Sequence, residues 1–170
     1  MKTSKANNTY TEYVIEAGKH YPDLQPFEQI NLSELSFKVL FDSSAIYQTH
    51  NKANQADINK LYGFSDNHMM HHQYSARFGW RWYQNQLSLL AYVYNDSIWF
   101  YKNLGTIEIG KIYECRILVE GDHYDFVLND NITSMPRRST TATAIGYKLY
   151  PYFGGDETAP HPVRIKIAEE

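Results

Sequence analysis

The sequence predicts an all-β fold of many short antiparallel strands, a sandwich or a barrel. Three observations carry that reading. Apolar and polar residues alternate at period two through several runs, turn residues separate those runs, and no run keeps the 3.6-residue period of a long amphipathic helix. At 170 residues the chain is most simply one domain, long enough to bury a core without staples. Residues 1–9 read as a flexible polar lead and residues 10–170 as a single β-sandwich domain.

The clearest strand pair is residues 74–94, YSARFGWRWYQNQLSLLAYVY. Ala76, Phe78, Trp80 and Trp82 share one face of the first strand, and Leu87, Leu89, Ala91 and Val93 share a face of the second. The polar Gln84-Asn85-Gln86 connects them as a short hairpin turn. The opposite face carries Arg77, Gly79, Arg81, Tyr83, Ser88, Leu90, Tyr92 and Tyr94, a platform of arginine and tyrosine.

Upstream, residues 10–15 form a first strand, and 35–41 alternate cleanly, with Leu35, Phe37, Val39 and Phe41 on one side. Residues 42–73 read as a long polar connection walling one side of the platform, with room for a short helix at 54–61. Downstream, 97–102 and 104–109 read as two strands. Tyr113, Cys115, Ile117 and Val119 alternate on the next, and Tyr124, Phe126 and Leu128 on the one after, across a Gly121-Asp122 turn. Residues 133–143 read as a loop, and 147–153 and 163–167 as closing strands. The expected core is Leu35, Phe37, Val39, Phe41, Phe78, Trp80, Trp82, Leu87, Leu89, Val93, Ile117, Val119, Phe126, Leu128, Ile165 and Ile167.

Composition narrows the function classes. A net charge of -3 argues against broad electrostatic attraction to nucleic acid. The single Cys115 allows no intrachain disulfide and reads as a small buried hydrophobe. The polar start, MKTSKANNTY, holds no secretory apolar core, and no apolar run reaches membrane-spanning length. The chain as given reads as soluble; its compartment stays open, with an extracellular or cell-surface place expected if a leader has been removed. The 15 tyrosines exceed what a small core needs and place rings at surfaces or grooves.

A strand, a Gly-Asp turn and a Tyr-x-Phe-x-Leu-Asn strand in GKIYECRILVEGDHYDFVLNDN, followed by YKLYPYFGG and a last Val-x-Ile-x-Ile strand, resemble the concanavalin-A-like lectin/glucanase superfamily. The likeness covers residues 33–167. It implies a two-sheet antiparallel jelly roll with little helix, whose first and last strands pair, and with it glycan binding, glycan cleavage or a structural role in an assembly. NQADINKLYGFSD, SARFGWRW and YPYFGGDETAPH also resemble an uncharacterised bacterial family within that superfamily.

If the 147–153 strand neighbours the hairpin, Lys148, Tyr150 and Tyr152 join Arg77, Arg81, Tyr83, Tyr92 and Tyr94 as ligand-binding residues, with His71 and His72 from the loop. Rings stack on the C–H faces of sugars, and Arg and Lys bind carboxylates, which suits an extended or acidic polysaccharide. The first expected function is therefore non-catalytic carbohydrate binding, needing no cofactor. The alternative is a polysaccharide lyase, in which Arg77 neutralises a uronate carboxylate while His72 or Tyr92 takes the C5 proton. Jelly-roll lyases carry an Arg-x-Glu-x-Arg strand, which this sequence lacks, and a Gln-x-His strand; the one Gln-x-His triplet, Gln48-Thr49-His50, falls in the stretch read as a polar connection rather than in a strand. A third reading makes the aromatic face a subunit interface in an oligomer.

The glucanase branch's Glu-x-Asp-x-x-Glu strand is also absent, and Glu114, Glu120 and Asp125 do not replace its flanking carboxylate pair. The histidines of NHMMHHQ, His68 among them, lack the second ligand pair of a zinc site. Asp156 and Glu157, after two glycines, are the candidate ligands for a structural calcium, as in related sandwiches.

Overall fold

A computed structural model describes residues 9–170. The expected N-terminal lead, apart from Thr9, lies outside them. Twelve strands run through the described chain: β1 (Thr11–Ile15), β2 (Gln29–Leu32), β3 (Glu34–Phe41), β4 (Asn59–Ser65), β5 (Ser75–Tyr83), β6 (Gln86–Asn95), β7 (Ile98–Ile107), β8 (Ile112–Glu120), β9 (His123–Leu128), β10 (Asn131–Pro136), β11 (Ala144–Leu149) and β12 (Val163–Glu169). Single 3-10 turns at Ser43–Ala45 and Lys52–Asn54 are the described helix.

The strands form two six-stranded sheets, in the orders β1-β12-β3-β8-β9-β10 and β2-β11-β4-β5-β6-β7. Every pairing is antiparallel, and the first strand pairs with the last, Thr11 opposite Ile167. The two-sheet jelly roll read from the sequence is the fold.

The core lies between the sheets. Phe78, Trp80, Leu89 and Val93 from the second sheet meet Phe37, Val39, Ile117 and Phe126 from the first, all fully buried or nearly so. Phe37 and Phe126 both pack edge-on against Phe78, with ring centroids at 5.5 and 5.2 Å. Each such side chain contributes about 1.5–3 kcal/mol by leaving water. Every expected core residue is buried except Trp82, which packs on the cluster from the rim.

The hairpin is built as its alternation demands. Gln84 and Asn85 both take positive φ, the two-residue turn that matches strand twist, and it sets Tyr83 opposite Gln86.

Several expectations need correction. The stretch 42–73 is not irregular throughout: residues 59–65 form the central strand β4, hydrogen-bonded to β11 and β5. The expected helix at 54–61 shrinks to the single turn Lys52–Asn54. Asn59, Lys60, Gly63 and Ser65 have poor strand propensity, and a bulge after Lys60 turns Leu61 and Tyr62 both inward, which breaks the alternation. Strand β2 had no signal in its four residues. Residues 97–109 hold one strand, β7, rather than two; Leu104 is the extra residue of a bulge, beside Gly105 at φ 138°. The expected 133–143 loop begins as strand β10. The 147–153 strand starts earlier and ends at Leu149, and Tyr152 returns as an isolated bridge to Lys60.

Candidate functional site: a carboxylate-free basic pocket

The outer face of the second sheet carries the platform. In β5 the residues facing outward include Arg77, Gly79 and Arg81; across the ladder Tyr92 stands opposite Arg77, and Tyr94 opposite Ser75. On the other side of β5, Lys60 pairs with Gly79 and Gly63 with Arg77. Two glycines make room. A Cβ on Gly79 would stand 2.6 Å from Ile58 Cγ2, so this glycine lets the segment before β4 lie over the sheet. Ile58 then packs on Leu90 and Tyr92, which is why outward-facing Leu90 is fully buried.

After β4 the chain turns back over the same face. Asp66 fixes the start of this loop from between the sheets. Its carboxylate accepts from Arg137 Nε at 2.8 Å, Tyr124 Oη at 2.5 Å and its neighbour's amide, Asn67 N, at 2.7 Å. His68 N donates to the Ile145 carbonyl, and Tyr147 Oη accepts from His71 N at 3.0 Å. That hydroxyl also lies 2.7 Å from His71 Nδ1. The two contacts hold the His71 ring against Tyr147. His72 packs edge-on against Tyr94, centroids 5.6 Å apart.

Loop and sheet enclose a pocket of about 220 Å³ lined by Lys60, His71, His72, Arg77, Tyr92, Tyr94, Tyr152, Gly154 and Gly155. Four nitrogen bases line it and no carboxylate does, among the described residues. Arg77 is 6% exposed, and its Nε is buried without a hydrogen-bond partner among the described residues. Its guanidinium carbon lies 5.9 Å from the Tyr92 ring centroid, and Lys60 Nζ lies 5.0 Å from the same centroid.

Unpaired cations in a half-dry site repel protons from one another. Burial, then Arg77, pushes Lys60 down to about 8. Burial, then Arg77 and His72, pushes His71 down to about 4. His72 is lowered by the same causes, burial first and then Arg77 and Lys60. Arg77 itself is brought down by burial to about 10. Both imidazoles are therefore neutral near pH 7. Tyr92 is raised by burial and by its hydrogen bond with Tyr94, and stays a phenol.

The expected site residues divide. Arg77, Tyr92, Tyr94, Tyr152, His71 and His72 converge on the pocket. Arg81 and Tyr83 share the outer face but lie further along β5: Arg81 donates to the Ala56 carbonyl at 2.7 Å and lies over the Tyr83 ring. Lys148 and Tyr150 do not line this pocket, but a neighbouring one of about 350 Å³ brings them together with Arg77, His71, Tyr147 and Tyr152. Lys148 pairs with inward-facing Phe64, and its ammonium reaches Glu28 and Glu169 at 2.9 and 2.6 Å. Tyr150 packs on Tyr13 and Tyr62. Tyr147 and Leu149 face outward, the reverse of what their apolarity suggests, because Glu28 and Glu169 pair the Lys148 ammonium on the other side. Lys60 was hidden in the stretch read as irregular.

Of the two calcium candidates, Glu157 is already engaged by donors of the protein. Glu157 accepts from His50 N, Asn51 N and Asn54 Nδ2 at 2.6, 3.1 and 2.7 Å, so its oxygens already hold the 50–54 turn. Asp156 is not among its partners, and among the described residues no group of three or more His, Cys, Asp or Glu could hold a metal.

No protein-family model and no curated protein matches the sequence. Solved structures do match in shape. The chain is similar to the alginate lyase AlyC3 with TM-score 0.64 at 9% identity, over 94% of this chain and 73% of that one. It is similar to the alginate lyase A1-II', a member of polysaccharide lyase family 7, with TM-score 0.55 at 12% identity, over 99% and 84%. A glycosidic hydrolase matches with TM-score 0.53 at 10% identity, over 94% and 75%. What these structures share with the chain is the fold, a two-sheet antiparallel jelly roll. In that fold the basic pocket lies on the outer face of one sheet, not between the two, and every lining side chain sits on the strands β4–β6 or on the segments that follow β4 and β11.

Proposed function

We propose that the pocket takes a uronate residue of an acidic polysaccharide and that the domain is a polysaccharide lyase acting by β-elimination. The single observation that carries this reading is the buried Arg77, unpaired at Nε, in a pocket without a carboxylate of its own. Burying a cation without a counter-ion is expensive, and an incoming carboxylate supplies what the fold leaves out. The alginate lyases of the same fold lend the substrate class.

The residues then fall into roles. Arg77 and Lys60 neutralise the carboxylate and make the C5 hydrogen more acidic. Neutral His72 accepts the C5 proton, the C5 electron pair forms the C4=C5 double bond as the C4–O4 bond breaks, and the Tyr92 phenol gives the departing oxygen a proton. His71, held by Tyr147, stands beside them in the pocket wall. The order of the two sequence readings is thus reversed, because the loop brings His72 to the arginine without the strand motifs of jelly-roll lyases.

Binding without cleavage is the second reading, favoured by those missing motifs. One assay separates the two. Incubation with alginate, polygalacturonate and hyaluronan is expected to yield ultraviolet-absorbing unsaturated uronic ends with one polymer. His72→Ala should lower that rate by about 10²–10⁴-fold while leaving polymer retention intact. Retention by the wild type with no absorbing product from any uronic polymer would retire the lyase and leave the binding domain.

A further inference from the structure

Beyond the pocket the outer face continues onto β7, the edge strand of its sheet. Tyr101 stands opposite Tyr92, and Trp99 opposite Tyr94. The rings of Tyr92 and Trp99 are 5.8 Å apart and 12° from parallel; those of Trp99 and Tyr101 are 5.6 Å apart and 16° from parallel. Near-parallel rings with centroids this far apart, against about 3.5 Å between planes stacked face to face, make a staircase rather than a closed stack. Tyr92, with Lys60 and Arg77 over its ring, is buried, and the two outer rings carry the exposed faces. Trp99 and Tyr101 are 50% and 45% exposed, large rings standing in water on a strand edge.

We propose that Trp99 and Tyr101 form a second glycan subsite, stacking on the apolar face of a sugar ring two units away from the uronate held at Arg77. This rests on the carboxylate-pocket reading above. Three features point to a sugar. The staircase is continuous with the pocket through Tyr92, which lines the pocket and forms the first step. Two strand spacings separate β5 from β7, roughly 10 Å, a reach that suits a chain crossing the strands. The strip is one ring wide, with open faces, which matches a single polysaccharide chain better than the broad patch a protein partner buries. Carboxylate recognition and ring stacking then act on different units of one chain, so that affinity rises with chain length.

The test is calorimetric titration of His72→Ala protein, which prevents turnover, with alginate dimer and hexamer and with cello-oligosaccharides of the same lengths. Binding is expected to be tighter for the uronate hexamer than for the dimer. Trp99→Ala and Tyr101→Ala should weaken the hexamer by about tenfold and leave the dimer unchanged, whereas Arg77→Ala should abolish dimer binding. Hexamer should also quench tryptophan fluorescence, a change lost in Trp99→Phe. Unaltered hexamer affinity in both aromatic variants overturns the subsite. If Arg77→Ala leaves the dimer bound while Trp99→Ala still weakens the hexamer, the carboxylate pocket fails and the subsite stands. Failure of every uronate and neutral oligomer to bind overturns both.

Discussion

Gly63 lies directly across the β4–β5 ladder from Arg77, and a Cβ at position 63 would stand 2.4 Å from the arginine's own Cβ and 2.2 Å from the Ala76 carbonyl oxygen. The glycine is what lets a long cationic side chain lie flat on the centre of a sheet. Gly63→Ala must therefore move backbone as well as Arg77. It is expected to destabilise the domain by about 1–3 kcal/mol and to weaken uronate binding at the same time. Urea denaturation and calorimetry on one preparation check both halves, and a variant of unchanged stability would contradict the packing.

Arg77 should trade stability for binding. Its unpaired burial strains the apo fold, so Arg77→Met, similar in length and apolar, is expected to raise the melting temperature while abolishing carboxylate binding. The gain should be on the order of 1 kcal/mol. An arginine with a purely structural role would give the opposite sign, a lower melting temperature.

Lys60 gives the binding its pH dependence. The ammonium faces Arg77, His71, His72, Tyr92, Tyr94 and Tyr152 in the pocket, and Asp57 acts on it from the preceding segment. With its pKa near 8, it is charged at pH 7 and mostly neutral by pH 9. Both histidines are already neutral over that interval and Tyr92 remains a phenol. Affinity for a uronate should fall roughly tenfold from pH 7 to pH 9, and Lys60→Met should bind more weakly at pH 7 with a flat profile. A wild-type profile that is flat would remove Lys60 from the site.

The buried pair of Asp66 and Arg137, side chains 0% and 1% exposed, is expected to dominate acid sensitivity. Burial pushes the Asp66 carboxyl up, but hydrogen bonds from Arg137 and Tyr124 outweigh it and hold the group below its usual range. A carboxyl lowered on folding stabilises the protein fully above its unfolded value, near 3.9, and that stability is lost as pH falls through the folded value. Asp66→Ala leaves Arg137 buried and alone, and should cost about 3–5 kcal/mol at pH 7. Melting curves between pH 2 and pH 7 should show the wild type losing, below pH 4, stability that the variant never had.

Period-two patterning made the sandwich readable wherever a strand has one wet and one dry face. The β5–β6 hairpin, β3, β8 and β9 are all of this kind. β4 was missed because it is the reverse case: its outward positions hold Lys60, which lines the pocket, Gly63, which makes room for Arg77, and Ser65, which accepts from Tyr147 N, all of poor strand propensity, and its bulge spoils the alternation of the rest. The site was legible where it lies on the hairpin, at Arg77, Tyr92 and Tyr94, and in the unusual run of loop histidines. It was not legible where parity decided the outcome, as with Lys148 and Tyr147, since a shift of one residue sends each to the other face.

Asp66 sits at the end of a strand in one sheet, while Tyr124 and Arg137 belong to the end of the other. The loop carrying His71 and His72 is thus anchored by a contact that exists only once the two sheets have met. A chain with only the second sheet formed has the strands of the platform and the β11 contacts of the loop, but not the Asp66 anchor of its wall. Ligand affinity is therefore also a gauge of sheet association: in refolding, uronate binding should return together with burial of Tyr124, after the hairpin has already zipped.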